Sequence, residues 1–131
     1  MFTSIKTSYD NKQVVTDLTR KLALGPENVI ARIAFSLSLA TNIKLAVNEI
    51  KDSKGKEYSK SVLFGTNTPF YVSMICVHYQ LYKTDKDISK YIKMHVDHGL
   101  ELIDSELKEN PNFSGFDYLM DKIETGLKKV N

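Results

Sequence analysis

The segment GPENVIARIAFSLSLA, residues 25–40, constrains the fold of this chain more than any other. Gly25 and Pro26 break whatever precedes them, because glycine suits the turn past a helix end and proline suits the first turn of the next helix. In a helix from about Pro26 to Val47, Val29, Ile30, Ile33, Ala34, Leu37 and Ala40 fall on one broad face. Phe35, Leu39 and Ala46 fall nearly opposite, with Arg32 and Asn42 as the main polar interruptions. A helix that is apolar on both sides lies in the middle of something. In a chain of only 131 residues, that something is expected to include a second copy.

The flanking segments suggest a mainly α, compact domain of about five helices, with a short N-terminal strand and a small hairpin. FTSIKTSY alternates, with Ile5, Thr7 and Tyr9 on one side and Ser4, Lys6 and Ser8 on the other, the period of a strand. Asp10 or Asn11 can cap a first helix carrying Val14, Val15, Leu18 and Leu22, which Gly25 stops. NEIKDSKGKEYSK, residues 48–60, reads as a polar turn or loose hairpin, and SVLFG as a short strand. PFYVSMICVHYQLY reads as a largely buried helix containing Cys76, expected as a small buried hydrophobe. Ile88, Ile92, Val96, Leu100, Ile103 and Leu107 mark a long amphipathic helix. A last helix follows ENPNFSG, with Phe116, Leu119, Ile123 and Leu127 expected inward. Residues 1–131 are expected to form one domain, with 111–131 as a C-terminal helical extension.

The single cysteine, the lack of an apolar leader after Met1 and the lack of a long apolar stretch point to a cytoplasmic protein off the membrane. No nucleophile elbow, phosphate-binding loop or cysteine–histidine signature is visible, so no catalytic residue and no cofactor is expected. His95, His98 and Glu101 stand three residues apart and could begin a metal site, but a full tetrahedral set needs more ligands; a histidine pair at a helix face or interface is the expectation, and no metal.

Charge separates the two halves. Residues 1–60 hold ten Lys/Arg against six Asp/Glu, and residues 61–131 hold eight against ten. A basic first half is compatible with a polyanion on one face. Lys51, Lys54, Lys56 and Lys60 belong to a flexible basic loop, and Lys83, Lys86, Lys90 and Lys93 have the spacing of one helical stripe. Such spaced ammonium groups suit phosphates; a solvated helix face has the same pattern. Strand, helix, Gly-Pro turn, helix is also the order of a ribbon–helix–helix repressor, in which Ser4, Lys6 and Ser8 would read bases from a strand paired across a dimer. Glu27 at the turn would repel a phosphate, against that reading.

Three segments resemble the DndE family of small proteins encoded with the bacterial DNA phosphorothioation machinery. They are LALGPENVIARIAFSLSLA (22–40), GKEYSKSVLFG (55–65) and HVDHGLELI (95–103), in that order, so that 22–105 carries the likeness. The resemblance implies a mainly helical, non-enzymatic accessory protein. It implies homo-oligomers, notably tetramers, and binding of duplex or nicked DNA through surface lysines beside the sulfur-transfer proteins. In such an oligomer Gly25 and Pro26 are expected to let two helix starts approach across a subunit boundary, with the Phe35/Leu39 stripe buried against a neighbouring copy. Lys56 and Lys60 lie in the second matching segment, and Arg32 matches the helix arginine. A scaffold that joins the sulfur-transfer proteins without touching DNA is the remaining alternative.

Overall fold

The computed structural model describes residues 2–130. Strand β1 (Ser4–Lys6) leads into α1 (Asp10–Leu22) and α2 (Glu27–Ala40); β2 (Glu57–Ser59) and the short α3 (Lys60–Phe64) follow a long loop. Then come α4 (Thr68–Tyr79), α5 (Ile88–Glu109) and α6 (Gly115–Val130). The mainly helical architecture with a short strand pair is therefore the one the periodicities indicate.

Helix α2 is central, as its two apolar sides require, but this chain alone covers them. Ile30, Ala31, Ala34 and Phe35 have no exposed surface. One side packs on α5, where a Cβ at Gly99 would lie 1.8 Å from the Ala34 carbonyl oxygen, so the backbones meet. On the other side the Phe35 ring meets Phe64 at 5.0 Å and Tyr71 at 5.9 Å in edge-on contacts. The expectation that Phe35 faces a neighbouring copy is thus overturned. The later helices α3 and α4 roof it.

Other local expectations are corrected in the same way. Helix α2 ends at Ala40, so Ala46 belongs to the loop. Helix α1 starts without a side-chain cap and ends at Leu22, where Ala23 adopts a left-handed φ of 52° and its N–H bonds back to Thr19. SVLFG is helical because the Ser59 hydroxyl accepts the Val62 N–H and opens α3. Strand β1 pairs antiparallel with β2 of its own chain, Ile5 opposite Tyr58. Ser8 is buried and Ser4 half-buried, so the base-reading ribbon Ser4–Lys6–Ser8 is not presented. Cys76 is partly buried against the core. Helix α4 buries only one side: Phe70 and Val77 are 71% and 80% exposed.

Helix α5 keeps its expected inward row, from Ile88 to Leu107, buried throughout. Helix α6 is turned the other way from its expectation. Tyr118 is the side chain it buries, while Phe116, Ile123 and Leu127 are exposed and Leu119 is half-buried. Its start is pinned because Gly115 sits directly on the Leu22 carbonyl, where a Cβ would come within 1.9 Å.

Candidate nucleic-acid interface

The basic segment after residue 50 is held in place rather than loose. The Asp52 carboxylate accepts the N–H groups of Tyr9 (2.9 Å) and Lys54 (3.0 Å), and those two donors hold its pKa below the usual carboxylate range. The Gly55 N–H donates to the Thr7 carbonyl at 2.8 Å, and a Cβ at Gly55 would clash with the Ser8 carbonyl at 2.3 Å. Next, the Thr7 N–H donates to the Lys56 carbonyl at 2.9 Å, continuing the β1–β2 pairing. Lysines 54, 56 and 60 therefore ride on a backbone fixed to the chain's N-terminal strand.

Lys54 and Lys60 are exposed and form no ion pair among the described residues. Lys56 is 37% exposed and pairs with Glu27 at 3.7 Å. It borders a polar concavity of about 470 Å³ with Tyr9, Asp10, Lys12, Gln13 and Thr16. Lys6 adds a further ammonium on β1, paired with its cross-strand neighbour Glu57 at 3.5 Å. Lys51 is turned aside to Glu101, and that hydrogen bond raises its pKa.

The other expected basic stripe does not form. Lys83 and Lys86 lie in the turn before α5, both exposed, and Lys90 pairs with Asp87 at 3.4 Å. Lys93 is 5% exposed, so it cannot reach a ligand in solvent. Its ammonium donates to Asp97 at 2.9 Å and to the Asp52 carbonyl at 2.7 Å. Asp97 also accepts the Ser8 N–H at 3.0 Å and the Asn11 amide at 2.8 Å. This buried carboxylate joins α5, the start of α1 and the basic loop, and the sequence reading missed it. Its trace in the sequence is the Lys93–Asp97 spacing of four, which on a buried helix face marks a paired charge.

His95 and His98 do not converge with Glu101, and among the described residues no three potential ligands gather for a metal ion. Both histidines instead turn Nδ1 to the Ser38 hydroxyl, each at 2.7 Å. The Leu45 N–H donates to the Tyr79 oxygen at 2.9 Å, which leaves the Tyr79 hydroxyl to donate to His95 Nε2 at 2.6 Å. The order that satisfies every group follows: His95 donates through Nδ1 to Ser38, and Ser38 donates to His98 Nδ1. Both imidazoles are neutral. Burial first, then the proximity of the His78 and His98 rings, which disfavours a second positive charge among them, pushes His95 down to about 4. Burial also lowers His98, against the pull of Glu101.

Arg32 serves packing rather than a ligand, donating to the Leu63 carbonyl at 2.6 Å and the Val62 carbonyl at 3.3 Å at the end of α3. Gly25 and Pro26 are exposed at the corner between α1 and α2, with Gly25 at a φ of 132° that favours glycine. Leu39, half-buried, borders an apolar groove with Phe70, Met74 and Val77 of α4. No helix among the described residues is long and apolar enough to cross a membrane.

Two solved structures share the fold. The structure of DndE from Escherichia coli B7A, involved in DNA phosphorothioation modification, superposes with a TM-score of 0.64 at 16% identity, over 79% of this chain and 98% of that one. A glycine-to-lysine mutant of DndE involved in DNA phosphorothioation gives 0.65 at 20% identity, with the same coverage. No curated protein matches. The family model of the DNA sulphur modification protein DndE matches residues 4–111. With that match across both strands, α1 to α5 and the basic segment, this chain belongs to the DndE family.

Proposed function

We propose that this chain is a non-enzymatic accessory protein of DNA phosphorothioation that works in the cytoplasm as a homo-oligomer, notably a tetramer, beside the sulfur-transfer proteins. It binds duplex or nicked DNA through the backbone, with Lys54, Lys56 and Lys60 as the principal contacts. Lys6, Lys12 and Lys51 adjoin them, and Lys83, Lys86 and Lys90 contribute at longer range. The observation that carries this reading is the basic segment whose backbone is fixed to β1, which presents Lys54 and Lys60 exposed and without an ion-pair partner among the described residues, with the partly exposed Lys56 beside them on Glu27. Fixed, exposed lysines fit phosphates and leave base sequence unread.

Self-association is supported by the outer face of α4 and not by the buried Phe35. Phe70, Met74 and Val77 are exposed beside Leu39, and an apolar patch of this kind marks an interaction surface. Gly25 and Pro26 remain at an exposed corner where another copy can approach. A scaffold that never touches DNA would use the same apolar face without the lysines.

A gel-shift comparison of intact and nicked duplexes of unrelated sequences, at low and at physiological salt, tests the proposal. Binding at low salt that is blind to sequence supports it. No shift at low salt supports the scaffold, and a strong preference for one sequence contradicts backbone binding.

A further inference from the structure

Helix α6 lies beyond the part of the chain that matches the family, which ends at residue 111. It carries Phe116, Met120, Ile123, Leu127 and Val130, spaced four, three, four and three residues apart. At 3.6 residues per turn these fall within an arc of about 80°, the seam of a two-stranded coiled coil. All five are exposed, from 40% for Met120 to 84% for Val130. The helix rests on the body by the opposite side, through Gly115 and the fully buried Tyr118. The seam therefore points away from the chain that bears it.

We propose that α6 pairs antiparallel with α6 of a second copy of this chain, about a two-fold axis near residues 121 and 122. Heptad packing sets this register, with Phe116 over the partner's Leu127 and Met120 over the partner's Ile123, each contact repeated by the symmetry. Charge selects both the partner and the direction. The first part of the helix carries Asp117, Asp121 and Glu124; the last turn carries Lys128 and Lys129. Antiparallel pairing brings Lys128 and Lys129 of each copy toward Asp117 in the first turn of the other, while Lys122 stays on the docked side with Glu106 of its own chain. Parallel pairing would stack acid on acid and base on base. The inference does not depend on DNA binding or on the α4 face, since α6 is a separate surface.

Mixing two single variants tests the register. Oxidising a mixture of Phe116→Cys and Leu127→Cys chains should give the mixed disulfide dimer in excess over either homodimer. In the double variant Ile123→Asp/Leu127→Asp, the solution mass by light scattering should fall to about half that of the wild type. Helix content should be kept, because both positions are exposed. Disulfides only between like positions would contradict the antiparallel direction. An unchanged mass in the Asp variant, or loss of wild-type protein onto lipid vesicles with no mixed dimer, would overturn the pairing. Loss of α4-mediated assembly alone leaves the mixed disulfide intact, so the two failures are distinguishable.

Discussion

Gly99 lies against the main chain of Ala34 so closely that its missing Cβ would be 1.8 Å from the Ala34 carbonyl oxygen. This contact sets the crossing of α2 and α5, the most extensive helix pairing in the molecule. Because the obstacle is backbone, neighbouring side chains cannot relieve it by changing rotamer. Gly99→Ala should destabilise the fold by about 3 kcal/mol or more, at the upper end of overpacking effects. A denaturant midpoint close to that of the wild type would contradict the close approach.

Phe35 and Phe70 should behave in opposite ways. Phe35 is wholly buried in its own chain, so Phe35→Ala should cost about 3–5 kcal/mol of stability. Phe70 and Val77 are exposed. Phe70→Ser/Val77→Ser should change stability by less than about 1 kcal/mol but lower the solution mass if α4 holds copies together. Light scattering with chemical denaturation on both variants separates core from interface.

How much of this was legible in the sequence depends on what a periodic pattern can encode. The inward row of α5 was readable because one face of a long helix repeats its signal many times. The two apolar sides of α2 were readable too, but periodicity names the faces that bury and not the chain that covers them, and Phe64 and Tyr71 proved to be the cover. Strand β2 spans three residues, too few for alternation to stand out. In α6 the apolar row was visible and its direction was not, since Tyr118, on the other side and buried where Phe116 is exposed, decides which face docks. Lys93 looked like one of a surface row because its spacing to Lys90 said nothing of Asp97.

Lys93→Ala should be costly for the same reason. Removing the ammonium leaves Asp97 buried with its charge uncompensated, a loss of about 3–5 kcal/mol, whereas Lys93→Ala/Asp97→Ala should recover part of it. Thermal unfolding of both variants gives the comparison; equal losses would contradict the pairing at 2.9 Å.

The histidine chain predicts a pH dependence. His95 is pushed down to about 4 in the folded protein and returns to about 6.5 on unfolding. Between those values the unfolded chain binds the extra proton, so stability is complete above about pH 6.5 and is lost as pH falls toward 4. The full loss is about 3 kcal/mol. His95→Gln should flatten the slope of unfolding free energy against pH in that window; an unchanged slope would assign the acid sensitivity to other groups.

The salt dependence of DNA binding is the most direct test of the account. For the wild type, the logarithm of the binding constant should fall linearly with the logarithm of salt concentration. In Lys54→Ala/Lys56→Ala/Lys60→Ala the slope should be shallower by about 2 to 3, with folding intact. A slope identical to that of the wild type, or a wild type that does not bind at low salt, would contradict the claim that this segment grips the phosphate backbone.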